Sequence, residues 1–224
     1  MVYNSDILFL HIGKTGGMSC ASYLLQTLPP PVYNCHREAE AESLVLSRDG
    51  IIPIQTINRH CTLQAALAHL RELDGCKLSD FERVVAVIRH PLSLEYSFYR
   101  HLQKPEVRLR RQHDKNILEL SRGDFKTFVR KGGYHRQGLQ QQDYFLLNGR
   151  RPKNLVLVRF ENLDSEFRDA VDPFVGDNPP SQLPHLNASV AIGDAQPPVD
   201  DELRELIHEK HRYMFDSGLY SLDC

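Results

Sequence analysis

The chain has no apolar stretch near the roughly 18 residues that a membrane-crossing helix needs, so no membrane span is expected. Its first residues, Met1-Val2-Tyr3-Asn4-Ser5-Asp6, lack the basic segment that opens a secretory leader, and the apolar run behind them is short. Strong charge of either sign is missing too: 27 Lys and Arg against 29 Asp and Glu leave a formal charge of −2. The pI is near 6.6. No global pull toward nucleic acid or an anionic membrane is expected, so any basic site has to be local. Cysteine is scarce: Cys20, Cys35, Cys61, Cys76 and Cys224 are odd in number and form no C-x-x-C pair. Free thiols in a reducing compartment are the simplest reading, with a Cys35–Cys61 bridge left open. The Asn187-Ala188-Ser189 sequon carries meaning only in a secreted protein. The G-x-S-x-G elbow of a serine hydrolase is absent. His208 and His211 stand three apart, where H-E-x-x-H needs four, so no metal site is expected.

What is present alternates between two periods. Asp6 to Ile12 is an apolar, β-branched run that reads as a buried strand. Met18, Ala21, Leu24, Leu25 and Leu28 then recur at helical spacing, and Pro29-Pro30-Pro31 stops them. Arg37 to Ser47 reads as a helix, and Ile51 to Gln55 as a short strand whose Pro53 suits an edge. Thr62 is placed to cap a helix carrying Leu63, Ala66, Leu67 and Leu70. Arg83 to Arg89 is the clearest strand, apolar on consecutive positions as in a sheet buried on both faces. A helix with Leu94, Phe98 and Leu102 follows His90-Pro91. Lys104 to Lys115 is basic and irregular, either a solvated face or a docking surface for an acidic substrate. Short helices are expected around Phe125–Val129 and over Leu139–Leu147, and a second central strand over Asn154–Phe160. Asp177 to Val199 reads as a long loop, and Leu203 to Met214 as a last helix with Asp200 near its start. The 224 residues predict a single domain over 1–224, a three-layer α/β arrangement around a mainly parallel sheet.

The chemistry gathers at the ends of the strands. After the first strand comes Gly13-Lys14-Thr15-Gly16-Gly17-Met18-Ser19. Glycines admit an anion close to the backbone, the amides at the helix start point at it, and the helix dipole favours it. This is not a Walker A loop, in which lysine follows the last glycine; Lys14 precedes both Gly16 and Gly17. At the end of the Arg83 strand, where a P-loop nucleotidase keeps an aspartate for magnesium, the chain has Arg89-His90. A guanidinium there suits direct contact with a phosphate, and Ser97 lies on the helix that follows.

These segments resemble a known family. His11-Ile12-Gly13-Lys14-Thr15-Gly16-Gly17-Met18-Ser19 is similar to the 5′-phosphosulfate loop of carbohydrate-type sulfotransferases, H-I-P-K-T-G-G-T-S. Arg89-His90-Pro91 through Ser97-Phe98-Tyr99 resembles their 3′-phosphate motif, R-[ND]-P-x-x-R-x-x-S-x-Y. Arg159-Phe160-Glu161-Asn162-Leu163 matches R-[FY]-E-x-L, and Leu183-Pro184-His185-Leu186-Asn187-Ala188-Ser189 resembles L-P-H-x-N-x-S. The four occur in family order between about Ile7 and Tyr220. The resemblance implies a P-loop-like fold and 3′-phosphoadenosine 5′-phosphosulfate (PAPS) as sulfuryl donor, with no metal. It also implies an acceptor hydroxyl, in the carbohydrate or polysaccharide class. Lys14, Thr15, Gly16, Gly17, Met18 and Ser19 would hold the 5′-phosphosulfate, with Lys14 serving the leaving phosphate. Arg89 and Ser97 would hold the 3′-phosphate, joined by Asn187 and Ser189. The acceptor needs a base near neutral pH, and His60, in Asn58-Arg59-His60, is the candidate; His11, His90 and His185 are rivals.

Three departures stand out: Gly13 for proline, Leu94 for a second arginine, which leaves Arg100 or another cation to serve in its stead, and Arg59 for glycine beside the base. The acceptor's identity would depend on Lys104–Lys115, Tyr134-His135-Arg136 and the loop before Asn187. Other readings of the same residues are a P-loop kinase, which would need Walker residues and magnesium, and a non-catalytic binder of phosphorylated or sulfated ligands. A cytoplasmic location is expected, with a trimmed Golgi-lumenal domain as the alternative; the oligomeric state stays open.

Overall fold

The structure is a computed structural model and describes residues 1–35, 48–134, 138–186 and 198–222. The helix expected over Arg37–Ser47, together with Asn187, Ser189, His135, Arg136 and Cys224, lies outside the described residues. The chain divides into two compact units: Met1–Ile88 with Asp143–Ser189, and Arg89–Gln142 with Val190–Cys224.

The first unit is α/β. Strands β1 (Val2–Tyr3), β2 (Ile7–Leu10), β3 (Val32–Cys35), β4 (Ile51–Ile54), β5 (Arg83–Ile88) and β6 (Leu155–Arg159) form one six-stranded sheet in the order β4-β3-β1-β2-β5-β6. The sheet is mixed and mostly parallel: β2 with β5, β5 with β6 and β3 with β4 run parallel, while β1 opposes both its neighbours. Ile7 and Phe9 of β2 join Val85 and Val87 of β5 in one core, beneath helix α1 (Gly17–Thr27) and Phe167 of the helix over Leu163–Val171. Leu8, Leu10, Val84, Ala86 and Ile88 alternate with them and are equally buried. Both faces of the central strands are therefore covered, which is why β5 reads as unbroken apolar sequence. Each such side chain contributes roughly 1.5–3 kcal/mol when fully removed from water. Helix α2 (Leu63–Asp74) starts where Thr62 accepts a hydrogen bond from the Ala65 amide.

Pro53 does sit in an edge strand, since β4 ends the sheet. The Asn154–Phe160 run does not form a second central strand: β6 closes the opposite edge, with Val156 and Leu157 only half-buried and Arg159 exposed. Two short strands, β1 and β3, were not signalled, because two to four residues carry too little periodicity. Cys20, Cys35, Cys61 and Cys76 are free thiols.

The second unit is helical: α3 (Pro91–Gln103), α4 (Pro105–Arg110), α5 (Lys115–Leu120), α6 (Phe125–Lys131), α9 (Asp201–Lys210) and α10 (Arg212–Asp216), with α7 (Gln141–Phe145) and α8 (Leu163–Val171) between them in chain order. Leu94, Phe98, Leu102, Phe128, Leu203 and Ile207 share its core. The Lys104–Lys115 segment is not irregular: Pro105 opens α4, with Lys104 as its N-cap. Its cations are partly engaged, Arg108 donating to the Leu118 carbonyl at 3.2 Å and Arg111 pairing with Asp114 at 3.6 Å. The last helix is two, broken at His211, whose Nε2 meets the fully buried Glu95 at 2.8 Å. Asp200 caps the first of them through the Leu203 amide. Among the described residues no helix is long and apolar enough to cross a membrane.

Candidate functional site

The opening loop leaves β2 at His11, a side chain that is only 5% exposed. Burial, followed by the charges of His60, the amino terminus and Arg59, holds the His11 imidazole well below its usual range, so it is neutral at pH 7. Its ring lies against Gly17: a Cβ at position 17 would fall 2.1 Å from His11 Cδ2. Gly16 has φ +78°, and a Cβ there would meet Leu163 Cδ2 at 2.7 Å. The two glycines are thus fixed by close packing and by a left-handed turn. Lys14 takes φ 68° as well, a conformation a long side chain rarely adopts.

Helix α1 then begins with Gly16 as N-cap, no capping side chain and no acidic residue in its first turn. Its leading amides carry the positive end of the dipole toward the Lys14 loop. Thr15 is fully buried and donates its hydroxyl to the Ile12 carbonyl at 3.0 Å, so its side chain braces the loop from within. Ser19 Oγ accepts the Leu186 amide at 3.2 Å and keeps its own proton to donate. Leu183 is held by Asp164 Oδ1 at 2.7 Å. Three of the four motif segments therefore meet in this unit: the opening loop, the Arg159–Leu163 segment against Gly16, and Leu183–Leu186 against Ser19.

His60 is brought to the same place. Its Nδ1 lies 2.8 Å from the His11 carbonyl oxygen, and the two rings are 4.6 Å apart, edge to face. A carbonyl only accepts, so Nδ1 carries the proton. Arg59 Nε, which only donates, meets His60 Nε2 at 3.2 Å, so Nε2 presents a lone pair. The Arg59 guanidinium also reaches Met18 Sδ at 3.0 Å. Arg59 is thus a cation at the opening loop that the sequence marked only as a departure; no spacing rule signals a residue delivered by a loop about forty positions away.

In the second unit, Arg89 follows directly on the last residue of β5. The fully buried Gln141 clasps its backbone, accepting from the Arg89 amide at 2.9 Å and donating to its carbonyl at 2.8 Å. Arg89 Nε donates to Ser93 Oγ at 2.8 Å, and Ser97 stands one turn further on the same face of α3. Gln141 was not signalled, because a lone glutamine has no pattern. Leu94 is fully buried, so the position where a second arginine was expected points into a core. Arg100 donates to Gln103 at 3.2 Å. Of the rival bases, His90 is 8% exposed and packs edge-on to Tyr220 at 5.2 Å, while His185 is exposed.

Compared with protein-family models, with curated proteins and with solved structures, the chain matches none.

Proposed function

We propose that the chain is a PAPS-dependent sulfotransferase acting on an acceptor hydroxyl of the carbohydrate class, on a P-loop-like three-layer scaffold. The observation that carries this reading is the His60 ring, with Nδ1 tied to the His11 carbonyl and Nε2 turned to Arg59, at the mouth of a loop that holds Lys14 at positive φ. A base oriented by a second group, beside an anion-binding helix start with a lysine, is what in-line group transfer requires. His60 Nε2 takes the acceptor proton once Arg59 swings off it. Lys14 neutralises charge on the departing phosphate, and the α1 amides with Ser19 hold that phosphate. The loop residues fit an anion: no side chain caps the helix, and Ser19 retains a proton to donate. When bound, PAPS supplies the activated sulfuryl group. A donor bearing a separate 3′-phosphate also gives Arg89, Ser93 and Ser97 a ligand.

Two measurements test this. Titration calorimetry should show 3′-phosphoadenosine 5′-phosphate binding more tightly than 5′-AMP; equal affinity removes the second phosphate from the reading. Transfer of labelled sulfuryl from PAPS to a panel of polysaccharides should be detectable. Tight nucleotide binding with no transfer to any acceptor would leave a non-catalytic binder instead.

A further inference from the structure

The parallel strands have a second end, and a cleft opens there. Phe81, two residues before β5, and Asn154, immediately before β6, line a cavity of about 870 Å³ together with α2 and the 147–148 turn. That volume lies within the few hundred to about a thousand Å³ typical of small-molecule sites. The walls are fixed. Asn154 Nδ2 donates to the carbonyls of Leu78 at 3.3 Å and Phe81 at 2.9 Å. Leu147 and Arg150 bridge a tight turn whose Asn148 has φ 52° and Gly149 φ 74°.

The lining divides by chemistry. Leu67, Leu78, Phe81 and Leu147 supply the apolar surface, and Arg71, Lys77 and Lys153 supply three cations. Among the described residues no carboxylate lines the cleft, and none of those three side chains makes an ion pair. Asp80, in the same turn as Lys77, is turned to the backbone, accepting from the Lys77 amide at 2.8 Å. An apolar floor rimmed by unneutralised cations is complementary to a molecule with an apolar body and an anionic head.

We propose that this cleft binds a small amphipathic anion, an acyl or aryl carboxylate or phosphate, at the edge of the sheet away from the Lys14 loop. The reading does not depend on the sulfotransferase assignment. Cys76 lines the cleft and is half-exposed, whereas Cys20, Cys35 and Cys61 are buried. It therefore serves as a reporter. Burial, and then the charges of Asp74 and Asp80, push its thiol up, so labelling belongs above neutral pH.

The full chain carrying Cys224→Ser is labelled with iodoacetamide in the presence of dodecanoate, dodecyltrimethylammonium or decanol. Dodecanoate should slow labelling of Cys76 saturably, and the other two should require much higher concentration. Lys77→Glu with Lys153→Glu, both at exposed positions, should raise the half-saturating dodecanoate concentration at least about tenfold. Ala68→Trp should block protection by filling the cleft. Equal protection by the ammonium compound, absence of saturable protection, or indifference to the charge reversals would each overturn the proposal.

Discussion

His60 Nδ1 donates to the backbone carbonyl of His11 across 2.8 Å, and this one bond ties the loop after β4 to the first residue beyond β2. It fixes the tautomer, leaves the lone pair on Nε2, and keeps the ring edge-on to His11. Replacing His60 with Ala should lower sulfuryl transfer by about a hundredfold to ten-thousandfold, the usual worth of a positioned base. Calorimetry on the same variant should show unchanged affinity for 3′-phosphoadenosine 5′-phosphate. Retained turnover would move the base elsewhere.

Lys14 carries two opposing effects at one position. Its ammonium is assigned to the leaving phosphate, and its backbone is held at φ 68°, where glycine is at ease. Lys14→Gly should therefore raise the unfolding midpoint, by roughly 1 kcal/mol of stability, while removing transfer. Lys14→Ala should remove transfer equally, at about 3 kcal/mol or more in the barrier, without the gain in stability. Thermal melts and single-turnover assays on the pair separate backbone strain from charge. Near-normal turnover in both variants would end the assigned role.

Gly17→Ala tests the packing beneath the loop. The added methyl would fall 2.1 Å from the His11 ring, which cannot retreat from its buried place at the end of β2. The expected cost is on the order of 1–3 kcal/mol in urea denaturation. A variant as stable as the parent would mean that the His11 ring has room to move.

The long, strongly periodic elements were legible because burial on two faces or one leaves a plain mark. β5 is unbroken apolar sequence, α1 repeats at helical spacing, and Thr62 announces α2. The glycine turn between β2 and α1 was legible for the same local reason. What could not be read is what tertiary contact supplies. Gln141 finds Arg89 from 52 positions away, and Arg59 finds Met18 from 41. β6 lies at an edge although its sequence resembles a central strand, since strand order is not written in local pattern.

Leu94 shows how position overrides motif. A pattern match suggests that arginine there would complete a phosphate site, yet the side chain is fully buried among Phe98, Leu102 and Phe128. Leu94→Arg should place an unpaired charge in an apolar core and destabilise the chain by several kcal/mol. Nucleotide affinity should not rise. Tighter binding of 3′-phosphoadenosine 5′-phosphate with an unchanged melting point would show that this turn of α3 faces a ligand.

His11 makes stability depend on pH in a definite direction. Its pKa when folded lies well below the 6.5 that it regains on unfolding, chiefly through burial. Below about pH 6.5 the unfolded chain binds a proton that the folded chain refuses, so the unfolded state gains and stability falls with falling pH. The slope from this one group approaches about 1.4 kcal/mol per pH unit at most. Above that pH both states are neutral at this position, and the group contributes no slope. Urea midpoints for the parent and for His11→Gln, taken at a neutral and at a mildly acidic pH, isolate the effect. The variant should start less stable, because it loses the ring packed on Gly17, but should lose less on acidification. If the two lose stability equally, the acid sensitivity belongs to other groups.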